Sequence, residues 1–152
     1  MDIFQRSIHS NVKQVDDDHL LVVSSLLDLE HSFHLELLVR LSDRTIESAR
    51  ANMSKTPLTK CLKGLEGIPG LAGLSLDRGV IKEVNQRLGG PKGCAHLVEL
   101  LTDAIRLISM IMIGNSLNYW SDLKQNLTEE EIVAEGRQRL RNTCLVFAED
   151  PE

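Results

Sequence analysis

Apolar residues recur along this chain in two different periods, and the change of period divides it. Residues 19–28 are rich in Leu and Val on both faces, which predicts a well-buried strand. Phe33, Leu35, Leu37, Val39 and Leu41 then alternate with His34, Glu36, Arg40 and Ser42, with Leu38 breaking the alternation. That period of two predicts a second, half-buried strand. The short connection at 29–32 fits a hairpin. Ser42, Asp43 and Arg44 read as another turn. It leads into residues 45–53, which are either a third strand or, given Glu47, Ala49 and Ala51, a short helix.

Beyond Pro57 the spacing becomes helical. Residues 58–65 predict a short helix carrying Cys61, and Gly64, Gly67, Pro69, Gly70 and Gly73 a loop. Residues 77–88 predict a helix with Asp77 near its start and Gly89 as its stop. The main helix is expected from about Cys94 to Ile113, with Leu97, Leu100, Leu101, Ala104, Ile108 and Ile111 forming its apolar stripe. Thr128 with Glu131 is a capping box for a last helix reaching about Arg141, and residues 144–147 read as an extended tail. No internal repeat or domain boundary stands out. Strands first and helices later predict one α+β domain, with two to three antiparallel strands packed against about four helices.

Bulk composition narrows the partners. The 152 residues carry a net charge of −5 and are 3% aromatic, which argues against nucleic-acid binding by a basic surface or a stacking platform. Residues 1–18 are polar where a signal peptide needs an apolar core, and the run 107–113 is too short to span a bilayer. A cytoplasmic protein without membrane association is expected. Three widely spaced cysteines, Cys61, Cys94 and Cys144, read in a reducing compartment as free thiols or ligands.

The stretch Gly89-Gly90-Pro91-Lys92-Gly93-Cys94-Ala95-His96 carries the strongest chemical suggestion. It delivers a thiol and an imidazole to a helix start, where unpaired N–H groups favour a thiolate or an anion. One reading is a transition-metal or cluster site with Cys61, Cys94 and His96 as ligands and Cys144 as a possible fourth. Zinc, iron or an iron–sulfur cluster would suit such a set, with Glu99 orienting His96. Inside one helix Cys94 and His96 would point roughly 200° apart, so they converge only if the helix begins after Cys94. A second reading makes Cys94 a reactive thiol with His96 as base and Cys61 or Cys144 as resolving thiol. A third is a structural or interaction domain with core cysteines.

Gly93 and Lys92 could cradle an anionic group, against the plainer reading of a helix–turn–helix connection. Asp28, Glu30, His31 and His34 gather at the hairpin and could in principle hold a metal, but they read best as a solvated turn with chance histidines; Asp16, Asp17 and Asp18 also read as a solvated turn. The apolar patch Met110, Ile111, Met112, Ile113 is either core or a homodimer surface. Trp120 is expected to anchor a loop or an interface.

The chain also resembles the uncharacterised bacterial family called domain of unknown function 2889. The resemblance rests on the early strand pair, the turn Ser42-Asp43-Arg44-Thr45-Ile46, the segment from Pro57 to Cys61, and Leu71-Ala72-Gly73-Leu74 before Gly79 and Val84. Its most specific part runs from Gly89 to Leu101, where Ala95 replaces the Thr usual in that family. Asn142-Thr143-Cys144 is similar to the family's tail. The resemblance implies no activity, but it places Cys61, Cys94, His96, Glu99 and Cys144 on the family's motifs. Three cysteines and a histidine on a small α+β domain are also loosely similar to the U-type iron–sulfur scaffold proteins, although the local motifs differ.

Overall fold

A computed structural model describes residues 1, 3–116 and 127–149, and divides the chain into two compact units, Met1–Ser109 and Met110–Glu152. In the first unit four strands form an antiparallel meander in the order β1 (Arg6–Gln14), β2 (His19–Asp28), β3 (Ser32–Arg40) and β4 (Thr45–Lys55). The architecture is α+β as expected, with four strands rather than two to three. Residues 45–53 belong to a strand, which settles that alternative. β1 was not anticipated, because it alternates Ile8 and Val12 with Ser7, His9, Asn11 and Lys13 and so presents few apolar side chains. An edge strand that pairs on one side needs no more.

Alternation decides which face is covered. Leu20, Val22 and Leu26 of β2, Phe33, Leu35, Leu37 and Val39 of β3, and Ile46, Ala49 and Met53 of β4 are buried on one face. Their partners across the ladders match, as in Val22 with Leu37 and Leu26 with Phe33. Leu97, Val98, Leu100, Leu101, Ala104, Ile105 and Ile108 of helix α2 (Ala95–Ser116) are buried as well. The predicted stripe holds except at Ile111, which is half-buried, and it widens by Val98 and Ile105. Two polar ties join α2 to β1: the Arg6 guanidinium bonds Glu99 at 2.9 Å, and the Ser10 hydroxyl donates to Asp103 at 2.6 Å. Ser10 also bonds the buried Ser24 hydroxyl at 2.7 Å.

The predicted helix and glycine loop after Pro57 are instead one run of 3₁₀ turns, Thr59–Leu71. Its apolar residues Leu62, Leu65, Ile68 and Leu71 and its glycines Gly64, Gly67 and Gly70 both recur every three residues. Side chains three apart eclipse in a 3₁₀ helix, so Ile68 and Leu71 are buried in one row, while Leu62 at its start is exposed and Gly64, in the neighbouring row, is buried against Cys94. Helix α1 (Val80–Leu88) starts after Gly79 at φ 95°, and not at Asp77, and buries Val84 and Leu88. After the short 3₁₀ turn Gly90–Lys92, α2 begins.

In the second unit helix α3 (Glu129–Leu140) carries the predicted capping box. Thr128 accepts from the Glu131 amide, and Glu131 accepts from the Thr128 amide at 2.8 Å. The expected extended tail is a 3₁₀ turn, Leu145–Phe147, entered through Asn142 at φ 58°. Phe147 packs so closely on Gly136 that a Cβ there would meet its ring at 2.7 Å. Trp120 lies outside the described residues. No helix among them is long and apolar enough to cross a membrane.

Candidate functional site

The β2–β3 hairpin closes through an Asp-x-x-His turn. Asp28 Oδ1 accepts from the Glu30 amide, the His31 amide and His31 Nδ1, at 2.8, 2.8 and 2.9 Å. Such side-chain capping of the backbone is what aspartate does in turns. Asp28 Oδ2 takes Arg6 Nε and Nη2, each at 2.8 Å, because Arg6 and Asp28 are register partners across β1 and β2. The Asp28 side chain is fully buried. Burial pushes its pKa up, but the donors from Glu30, His31 and Arg6 outweigh it and hold the carboxyl well below the usual carboxylate range. An ionised carboxylate only accepts, so His31 Nδ1 is the donor.

Over this turn sits His96, the second residue of α2. Its ring centroid is 4.1 Å from that of His31, tilted by 45°, and Phe33 packs against both rings at 5.3 Å and 6.5 Å. Burial, then the neighbouring His31 and Arg6, lower the His96 pKa, partly opposed by Asp28 and Glu99. This favours the neutral imidazole at neutral pH. Five groups from four elements thus meet at one end of the sheet: Arg6, Asp28, His31, His96 and Glu99.

The residues singled out from sequence do not all meet there. α2 does begin just after Cys94, which donates its amide to the Leu88 carbonyl at 3.0 Å and accepts from Val98. Yet Cys94 packs against the 3₁₀ segment that carries Cys61. A Cβ on Gly64 would stand 3.0 Å from the Cys94 Cβ. Cys94 and Cys61 are half-buried and Cys144 is exposed in the second unit. Glu99 bonds Arg6. Gly93 lies so close to the Leu88 carbonyl that no Cβ fits, and its amide donates to Gly90. The amides of Gly93 and Cys94 are thus spent inside the corner rather than offered to an anion, and Lys92 is exposed beside it. Among the described residues no three His, Cys, Asp or Glu side chains are grouped to hold a metal ion.

Arg6 carries no sequence signal, whereas Asp28 and His31 stand out in the sequence but read there as a solvated turn rather than as a site. Reading the hairpin as a solvated turn fails for Asp28 and His31, which are 7% exposed each. The Asp-x-x-His spacing was a local signal for the turn. Nothing local tells that α2 would cover it.

The model of the family described as protein of unknown function (DUF2889) matches residues 4–108. The chain belongs to this family. The DUF2889 match covers nearly all of the first unit, Met1–Ser109, and with it Arg6, Asp28, His31, Cys61, Cys94, His96 and Glu99. Cys144 lies beyond the DUF2889 match. Neither a search of curated proteins nor one of solved structures gave a match.

Proposed function

We propose that the first unit binds a divalent transition metal of the zinc or iron class through the imidazoles of His31 and His96. The observation that carries this reading is the Asp28–His31 pair lying against a second, neutral imidazole. Histidines that bind metals typically give their other ring N–H to a carboxylate, which fixes the tautomer and raises ligand basicity. With its Nδ1–H donated to Asp28, the neutral form of His31 carries its lone pair on Nε2. Lowering of the His96 pKa keeps that ring in the form a metal needs, since ligands must be deprotonated. The formal charges around the rings, Asp28 and Glu99 against Arg6, sum to −1 and favour a cation. Two protein ligands leave positions for solvent or a bound molecule, as in open rather than structural sites.

A thiolate set of Cys61, Cys94 and His96, with or without Cys144, is the competing ligand set, and one experiment separates the two. Metal content and affinity are measured on protein purified without chelator, for the wild type, His31→Ala, His96→Ala and Cys61→Ser/Cys94→Ser. The histidine reading expects stoichiometric metal that is lost from both alanine variants and kept by the double serine variant. Loss from the serine variant with retention in His31→Ala would favour thiolates, and a visible charge-transfer band would point to iron–sulfur. A folded wild type that takes up no zinc or iron would end the proposal.

A further inference from the structure

The two edges of the sheet are treated differently. Along β4 the Ile46 amide donates to Leu74, the Gly73 amide to Ile46 and the Leu76 amide to Arg44, at 2.8–2.9 Å, and Thr45 bridges Ser75. The β3–β4 ladder is also broken by two register shifts. Coverage and irregularity both close an edge to further pairing. β1 has neither. Its nine residues pair with β2 in unbroken register, contain no proline, and, among the described residues, make no backbone hydrogen bond on the other side. A long regular edge of this kind is a template for another strand.

The order of side chains along β1 indicates which strand. We infer that β1 pairs antiparallel with β1 of a second copy, about a two-fold axis at Ser10, giving one continuous eight-stranded sheet. In that register Ile8 lies opposite Val12 of the second copy on the covered face, twice by symmetry. Arg6 lies opposite Gln14, and Lys13 opposite Ser7, so the two cations of the strand never face a like charge. On the other face His9 lies opposite Asn11. Self-complementarity of one patch is what a two-fold interface requires.

The test is sedimentation velocity on the full chain, with thermal melting to check folding. The wild type is expected to be a dimer. A His9→Lys/Asn11→Lys variant sets lysine opposite lysine and is expected to be a monomer that still melts cooperatively, below the wild type because the dimer contact is lost. Met110→Glu, which charges the apolar patch on α2, is expected to leave the dimer intact. If the double variant fails to fold, Ser10→Cys decides. Cα atoms directly opposite lie about 4.5–5.5 Å apart, within disulfide reach, so oxidation should give a dimer linked through position 10, mapped by peptide mass. A monomeric wild type, a dimer that survives the two lysines, one dissolved by Met110→Glu, or no linkage at position 10 would each overturn the inference.

Discussion

Arg6 and Asp28 stand at the same register position of neighbouring strands, joined by two contacts of 2.8 Å on one carboxylate oxygen. This leaves the other oxygen for the turn, where it takes two amides and the ring of His31. The strand pairing thereby decides where the His31 proton sits. In neutral His31 the proton should reside on Nδ1, visible in nitrogen-15 chemical shifts of the ring. Asp28→Asn, which can present either an amide oxygen as acceptor or an amide N–H as donor, should weaken that preference and lower the melting temperature. A neutral His31 protonated at Nε2 in the wild type would contradict the geometry.

The corner between α1 and α2 tolerates no side chain at Gly93. Its place against the Leu88 carbonyl and the amide bond from Cys94 to the same carbonyl make one tight turn. Gly93→Ala must push backbone rather than a flexible side chain, so overpacking of about 1–3 kcal/mol is expected. Denaturant unfolding measures it. A change within about 0.5 kcal/mol, the usual range for surface substitutions, would show that the corner yields.

His19 joins Asp16 at 2.8 Å and Glu47 at 2.9 Å. The bond to Asp16 raises its pKa above the ordinary value near 6.5; burial opposes this, and the bond to Glu47 and the charges of both carboxylates add to the rise. A raised histidine pKa contributes stability that is full below 6.5 and is lost as pH climbs through the raised value. The stability difference between wild type and His19→Gln should therefore be largest on the acid side of 6.5 and shrink above it. Parallel melting curves at every pH would refute the linkage.

Thr128→Ala removes one half of a capping box whose two bonds are both present. A cap of this type is worth about 1 kcal/mol. Amide hydrogen exchange along α3 should show its first turn opening more readily by that amount, while β2 and β3 exchange as before. Unchanged protection at Glu131 and Ile132 would argue that the box contributes nothing.

Periodic segments were legible in the sequence and pairwise meetings were not. β2, β3, α2 and the α3 cap each write their period or cap into consecutive residues. β1 escaped because its apolar content is that of an edge strand. The 3₁₀ segment escaped because a spacing of three, with a glycine in each repeat, resembles a loop when tested against 3.6. At the site, His96 and Glu99 were visible as residues on a promising motif. Of their partners, Arg6 sits on a strand with too few apolar residues to read as one, and Asp28 and His31 sit in a polar hairpin that reads as a solvated turn. Gly93 was noticed for its freedom of backbone, whereas its use is to let the Leu88 carbonyl approach.

The two ties from α2 to β1, Arg6 with Glu99 and Ser10 with Asp103, are four residues apart on both elements. Four residues advance about 6 Å along a helix and about 13 Å along a strand. Two pins with such unequal pitch fit one docking position, since sliding or rolling the helix breaks at least one of them. Peeling β1 from the sheet while α2 stays seated would break both ties, and lifting α2 with His96 would break the same two contacts. Whatever docks on the strand and whatever binds at the imidazoles would then each feel the other's presence as a change in affinity, and by linkage in equal measure.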